Sequence, residues 1–338
     1  MLDAKTIEAI ADELVEAGRT RTPVPRLTAR YPDMTVEDSY AVQQLWRRRN
    51  EAAGRTLVGR KIGLTSKAMQ AATGITEPDY GAIFDDMVLE TGCSVEWDRY
   101  THPRVEVELA FVLKDGLKGP GVTIFDVLKA TDYVVPALEI LDSRIEMEGR
   151  TIVDTISDNA AMGAMVIGGN PVKPDAVDLR WVSAILYKNQ TVEETGVAAG
   201  VLDHPANGVH WLANKIAAHG DSLKAGDIIL AGSFTRPLWV YKGDTVHADY
   251  GPLGVVTCRF EYKTPSGTPS LPKKIKPAGH LPACGSVPAA PSSPNCAPAP
   301  AWTGCWWMPS TAPTGSNPSW PSSRRSTATR STPWSGRR

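Results

Sequence analysis

Apolar positions recur at helical spacing near the start of the chain and change to short, nearly continuous runs after residue 56. Within residues 3–18, Ile7, Ile10, Ala11, Leu14 and Val15 fall on one face with acidic residues between them, which predicts an amphipathic helix ending near Gly18. Thr35-Val-Glu-Asp has the spacing of a capping box and opens a second helix whose apolar face is Val42, Leu45 and Trp46 and which stops near Gly54. From Leu57 strands dominate: Leu57–Leu64, Arg104–Lys114, Val134–Leu141, Ala161–Ile167, Leu179–Lys188, Ile228–Ala231, Leu238–Tyr241 and Gly254–Tyr262. Ser66–Thr73, Asp126–Tyr133 and Asn207–His219 read as helices among them. The expected fold is a β-rich α+β domain, with a helical part over about residues 1–55 and a β-rich catalytic part over about 56–262.

Composition changes abruptly after that. All 37 acidic residues lie at or before Glu261, whereas residues 264–338 hold eight basic residues and none that is acidic. Residues 1–263 therefore carry 28 basic against 37 acidic residues, a net of −9, which disfavours nucleic acid as a partner. Fifteen of the 27 prolines fall after residue 263, beside four branched aliphatic residues, so 263–338 is expected to be a disordered Pro/Ser/Trp-rich tail. Two cysteines before the tail, Cys93 and Cys258, make no disulfide framework and suit a reducing cytoplasm. The first residues lack a basic stretch followed by an apolar core, and no apolar run is long enough to span a membrane. G-x-G-x-x-G, P-loop and G-x-S-x-G patterns are absent, so dinucleotide, nucleoside triphosphate and serine-hydrolase readings lack support.

The candidate chemistry sits in Arg104-Val-Glu-Val-Glu-Leu-Ala-Phe-Val-Leu113. Strand alternation puts Glu106 and Glu108 on one face and Val105, Val107 and Leu109 on the other. Two such carboxylates repel unless a cation sits between them, and a hard ion such as Mg²⁺ or Mn²⁺ prefers oxygen ligands. Taken alone, the pair is weak evidence, and a solvent-facing strand edge is the alternative. Glu139 adds a third carboxylate within the apolar run Val134–Leu141, where a lone charge is costly.

These segments, with GRKIGLTSKAMQ (59–70), EPDYGAIFDDM (77–87), ATDYVVPALEILDSRI (130–145), DTISDNAA (154–161), EETGVAAGVLDHPANGVHWLANK (193–215) and AGSFTRP (231–237), resemble the fumarylacetoacetate hydrolase superfamily and, within it, the hydratases of meta-cleavage pathways. The resemblance implies a mixed β-sandwich roll with flanking helices, and a homo-oligomer. It implies that Glu106, Glu108 and Glu139 bind Mg²⁺ or Mn²⁺ and that Lys61 lies in the active site. Lys61 would stabilise an enolate or shuttle a proton if burial lowers its pKa. Asp79 is a candidate acid/base, or a turn residue beside Pro78. Ser157, Asp158 and Asn159 could touch substrate or form a turn, and Ser233 and Thr235 would line the pocket. Arg104 could meet a second substrate carboxylate, as could Arg60, Lys67 or Arg236. His204 and His210 suit capping or packing, and the tryptophans of this region suit core or subunit contacts. The implied reaction is hydration of a small-molecule 2-oxo-enedioate. Hydration of 2-hydroxypenta-2,4-dienoate, decarboxylation of 4-oxalocrotonate and a silent metal-binding subunit are the alternatives.

The tail has no counterpart in that family. Trp306-Trp307-Met308 can only be encoded TGG-TGG-ATG, and one nucleotide earlier the same bases read as an aliphatic residue, Val and Asp. With GC-rich codons, Thr303–Pro313 in that frame reads Asp-Trp-Val-Leu-Val-Asp-Ala-Glu-His-Gly-Pro, which resembles the metal-binding strand of class II 2-oxo acid aldolases. That implies out-of-frame translation of a downstream gene; a Pro-rich linker is the alternative.

Overall fold

The computed structural model describes residues 1–67, 70, 71 and 77–262. The expected helix Ser66–Thr73 falls mostly outside the described residues, as does the tail.

Two long helices open the fold. The first, α1 (Ala4–Thr20), starts at Asp3, whose carboxylate accepts the Thr6 amide at 2.8 Å, and ends at Arg21 in the left-handed region (φ 56°). It runs through Gly18. The short helix α2 (Leu27–Arg30) follows, and α3 (Val36–Ala52) begins with the expected capping box between Thr35 and Asp38. Helices α1 and α3 pack together through Ile10, Leu14, Val42 and Trp46, all buried.

The rest is built on two sheets. The larger runs β2 (Asp79–Phe84), β1 (Leu57–Gly63), β10 (Ile228–Leu230), β5 (Arg104–Leu113), β6 (Thr131–Leu141), β7 (Met162–Ile167) and β3 (Val88–Glu90), with β11 (Leu238–Trp239) also on β5. The smaller runs β4 (Cys93–Glu96), β13 (Val255–Glu261), β12 (Thr245–Asp249), β8 (Ser183–Lys188) and β9 (Thr191–Val197). Flanking helices are α4 (Ile124–Ala130), α5 (Ile152–Ser157) and α6 (Pro205–Ala217). This is the strand-rich α+β architecture expected. Cys93 and Cys258 face each other on β4 and β13 as free thiols.

Local chemistry explains where expectation and structure part. The apolar run at 126–133 divides: α4 stops at Ala130 and β6 starts at Thr131, where Thr131, Tyr133, Val134 and Val135 favour extended backbone. Leu179–Trp181 forms a 3₁₀ turn before β8. Strands β2, β3, β4, β9 and β12 are additions to the expected set.

The larger sheet curls. Strands β2 and β7 stand far apart in strand order, yet their Cα atoms come within 8 Å. Asn159 ties the ends together, accepting the Ala82 amide at 2.7 Å and donating to the Ala82 carbonyl at 3.0 Å. Asn159, Ala160 and Ala161 are all left-handed (φ 51°, 51° and 58°), a strained run that this closure holds in place.

Candidate active site

Strand β5 carries the first part of the site. Val105, Val107 and Leu109 pack into the core, while Arg104, Glu106 and Glu108 share the opposite face. Register places Glu139 of β6 directly opposite Glu106. Like charges so placed repel. Oxygens of Glu106, Glu108 and Glu139 nevertheless lie within 4.8 Å of one another, with Glu108 and Glu139 wholly buried.

Electrostatics register the strain. Burial, then the charges of Glu139 and Glu106, push the Glu108 carboxyl well above its ordinary range. Burial and Glu139 push Glu106 up to about 7, against Lys61 and Arg104. Glu108 accepts the Gly232 amide at 2.9 Å through Oε2, but its Oε1 and both Glu139 oxygens make no hydrogen bond among the described residues. Carboxylate oxygens gathered this closely, with few hydrogen bonds to offset their burial, are a donor set for a hard divalent cation. Tyr250 steadies the strand pair beneath, its hydroxyl 2.5 Å from the Ala137 carbonyl and 3.0 Å from that of Glu108.

Lys61 and Asp79 arrive from the other side. Three strand steps separate β1 from β6, about 14 Å in a flat sheet. Here Lys61 Nζ reaches Glu139 Oε1 at 3.1 Å. Burial works against the Lys61 charge, but Glu139, then Asp79, Glu106 and Glu108, outweigh it and hold the ammonium up to about 12. The expected lowering by burial is therefore reversed: the carboxylates gathered around the amine favour its charged form. Asp79 on β2 pairs with Gly63 on β1, is buried, and leaves both oxygens without a hydrogen bond among the described residues. Burial raises its pKa against Lys61 and Arg150. Gly63 makes this possible. A Cβ there would collide with Asp79 Oδ1 and lie 3.2 Å from Lys61 Nζ.

The other expected site residues face one another less directly. Ser157 donates to the Val153 carbonyl at 2.8 Å, and Asn159 holds β2 as described. Asp158 pairs with Arg144 (Nε 2.5 Å, backbone N 3.0 Å) and with Arg150 at 3.5 Å. Ser233 donates to the Thr235 carbonyl at 2.8 Å, and Thr235 Oγ1 accepts the Val107 amide at 3.1 Å, so both fasten the 231–236 loop to β5. His204 caps α6 by accepting the Ala206 amide at 3.1 Å. Arg60, on the face of β1 opposite Lys61, is engaged by Asp221 at 2.5 Å. Arg236 is 78 % exposed and meets Glu194 at 2.7 Å, and Lys67 is exposed.

Arg150 was not anticipated. It lies in the charged loop Glu146-Met-Glu-Gly-Arg150, which reads as surface, and only long-range folding brings it toward Asp79 and Arg104.

Residues 64–261 match the model of the fumarylacetoacetate (FAA) hydrolase C-terminal family. The 2-oxo-hept-4-ene-1,7-dioate hydratase of Escherichia coli is 55 % identical over 266 residues, covering 77 % of this chain and all of the relative. A 4-oxalocrotonate decarboxylase of Pseudomonas sp. (strain CF600) is 39 % identical over 252 residues, covering 75 % and 96 %. The solved 4-oxalocrotonate decarboxylase from Pseudomonas putida G7, complexed with magnesium and adipate, superposes with a TM-score of 0.75 at 36 % identity over 77 % of this chain and 99 % of that one. This chain belongs to the fumarylacetoacetate hydrolase family.

Proposed function

We propose that the chain is a hydro-lyase that adds water to 2-oxohept-4-ene-1,7-dioate, or its 3-ene tautomer, to give 4-hydroxy-2-oxoheptanedioate in the catabolism of aromatic compounds. The observation that carries this reading is the 55 % identity along the whole length of a hydratase with that substrate, against 39 % for the decarboxylase. The Glu106, Glu108 and Glu139 cluster agrees with it, since the related decarboxylase was solved with magnesium.

Glu106, Glu108 and Glu139 would hold Mg²⁺ or Mn²⁺. When bound, the ion supplies Lewis-acid polarisation of the 2-oxo acid, which makes C4 of the conjugated system electrophilic. The protein supplies the rest. Lys61, kept charged by its carboxylates, donates to the oxygen that gains negative charge as water adds at C4. Asp79, buried and biased toward its protonated form, holds or moves the proton exchanged between water and C3. Gly63 and the walls of β1 and β2 keep bulk water from that carboxyl.

The deciding experiment incubates the Mg²⁺-loaded protein with 2-oxohept-4-ene-1,7-dioate, 2-hydroxypenta-2,4-dienoate and 4-oxalocrotonate. Preferred formation of the 4-hydroxy diacid supports the reading. Carbon dioxide release without a 4-hydroxy product refutes it. We further take the protein to act in the cytoplasm as a homo-oligomer. Exposed Trp181, Val192 and Val197 support self-association, and light scattering tests it; among the described residues no helix is long and apolar enough to cross a membrane. The tail after Tyr262 is taken as out-of-frame translation. The reading rests on the aldolase-like sequence of the shifted frame around Trp306 and Trp307, and stop codons in that frame would refute it.

A further inference from the structure

We propose that Arg104 and Arg150 form a subsite for the second carboxylate of the substrate and so make the enzyme select a diacid over a monoacid. This rests on the hydratase reading and extends it to the far end of the same pocket.

Arg104 follows Glu108 and Glu106 along one face of β5. Its Cα lies about 7 Å beyond that of Glu106, two residues along an extended strand. That is close to the separation of the two carboxylates in an extended seven-carbon diacid. Trp239, paired with Arg104 on β11, puts its indole under the guanidinium at 5.3 Å, a cation–π shelf that fixes the plane of the fork. The guanidinium makes no hydrogen bond and no ion pair among the described residues, and its Nε is buried without a partner. A half-buried cation left in that condition lacks the anion that would offset its desolvation.

Arg150 is braced just past the end of β6, where Leu141 pairs with Arg104. Its Nη1 donates to Ser143 Oγ at 2.7 Å and its Nη2 to Thr155 Oγ1 at 3.3 Å, with Asp158 Oδ2 at 3.5 Å. Asp158 is already committed to Arg144 at 2.5 Å, and Asp142 to the amides of Thr101 and His102 at 2.9 and 3.0 Å. Asp158 is thus shared between Arg144 and Arg150, and Arg104 has no carboxylate at ion-pair distance among the described residues, a place that a substrate carboxylate would fill. The other candidate cations are spent or remote: Arg60 lies on the opposite face of its strand with Asp221, and Arg236 is exposed with Glu194.

The test compares Arg104→Met, Arg150→Met and Arg150→Lys with the parent. Losing one charge-assisted fork should lower kcat/KM for 2-oxohept-4-ene-1,7-dioate roughly 100-fold, chiefly through KM, and far less for 2-hydroxypenta-2,4-dienoate. Arg150→Lys should recover part of the diacid preference. Binding gives a second readout: parent protein should hold 2-oxoheptanedioate well above 2-oxopentanoate by calorimetry, and Arg104→Met should erase the difference. Equal losses on both substrates, or an unchanged ratio, overturn the subsite. Failure of the parent to hydrate either compound would defeat the hydratase reading instead, and equal binding of the two 2-oxo acids would then defeat the subsite on its own.

Discussion

Replacing Gly63 with alanine adds one methyl group where the structure has room for none. The new Cβ would run into Asp79 Oδ1 and crowd Lys61 Nζ at 3.2 Å. Restoring van der Waals contact requires the carboxyl to retreat by about 1 Å. It has little freedom to do so, since Asp79 is 1 % exposed and β2 is pinned through Ala82 to Asn159. Overpacking of this kind costs about 1–3 kcal/mol of stability. A catalytic group displaced by about 1 Å costs on the order of 100-fold in rate. The expected outcome for Gly63→Ala is therefore a folded protein with kcat down roughly 100-fold and Mg²⁺ affinity close to the parent, because the three glutamates sit on β5 and β6. Steady-state kinetics and metal titration calorimetry read the two quantities. A cycle with Asp79→Asn should be strongly non-additive if the methyl acts through that carboxyl. A kcat within about threefold of the parent, or a loss of Mg²⁺ affinity like that of a glutamate variant, would refute the reasoning.

Four further outcomes are expected. Glu108→Gln should abolish the Mg²⁺-induced rise in melting temperature while raising the melting temperature of the metal-free protein, since it takes one of three crowded carboxyl groups out of the cluster. Asp158→Asn should cost about 3–5 kcal/mol, roughly 10 °C in melting temperature, by stranding Arg144 and weakening Arg150; chemical denaturation measures it. Asp154 accepts the amides of Thr28 and Thr151, which hold its carboxyl below the ordinary range despite burial. Its stabilisation is present at neutral pH and fades as pH falls below the unfolded carboxylate range, so Asp154→Asn should flatten the acid limb of the stability profile. Truncation after Tyr262 should leave hydration of the diacid unchanged, as the assay on the shortened chain will read.

How much of this was legible beforehand depends on whether the signal was local. The glutamates were visible because alternation along one strand puts Glu106 and Glu108 together, and because Glu139 interrupts an apolar run. Thr35 and Asp38 announced α3 through a four-residue spacing. Strand β2 stayed hidden because both its faces are buried, so Asp-Tyr-Gly-Ala-Ile-Phe shows no polar alternation. Strand β9 hid for the opposite reason: Thr-Val-Glu-Glu-Thr-Gly is a largely exposed edge. The charge state of Lys61 was inaccessible, because burial and four carboxylates act in opposite directions and only the fold sets their balance. Arg150 depends on a brace from Ser143, Thr155 and Asp158 that no short motif encodes.

Strand β10 separates β1 from β5, bonding parallel to the first and antiparallel to the second. Gly59 allows that close approach, since a side chain there would strike the Ile228 carbonyl. The strand comes from residues 228–230, whereas every group at the metal end of the pocket lies before residue 140. A chain made from its N-terminus therefore carries all of its acidic ligands long before it carries the strand that spaces them from Lys61. Before residues 228–230 have been made, β1 and β5 lack the strand that joins them, and only the Asn159–Ala82 tie at the other edge can link the two halves. Three aliphatic residues that do no chemistry thus join the strand of the lysine to the strand of the glutamates.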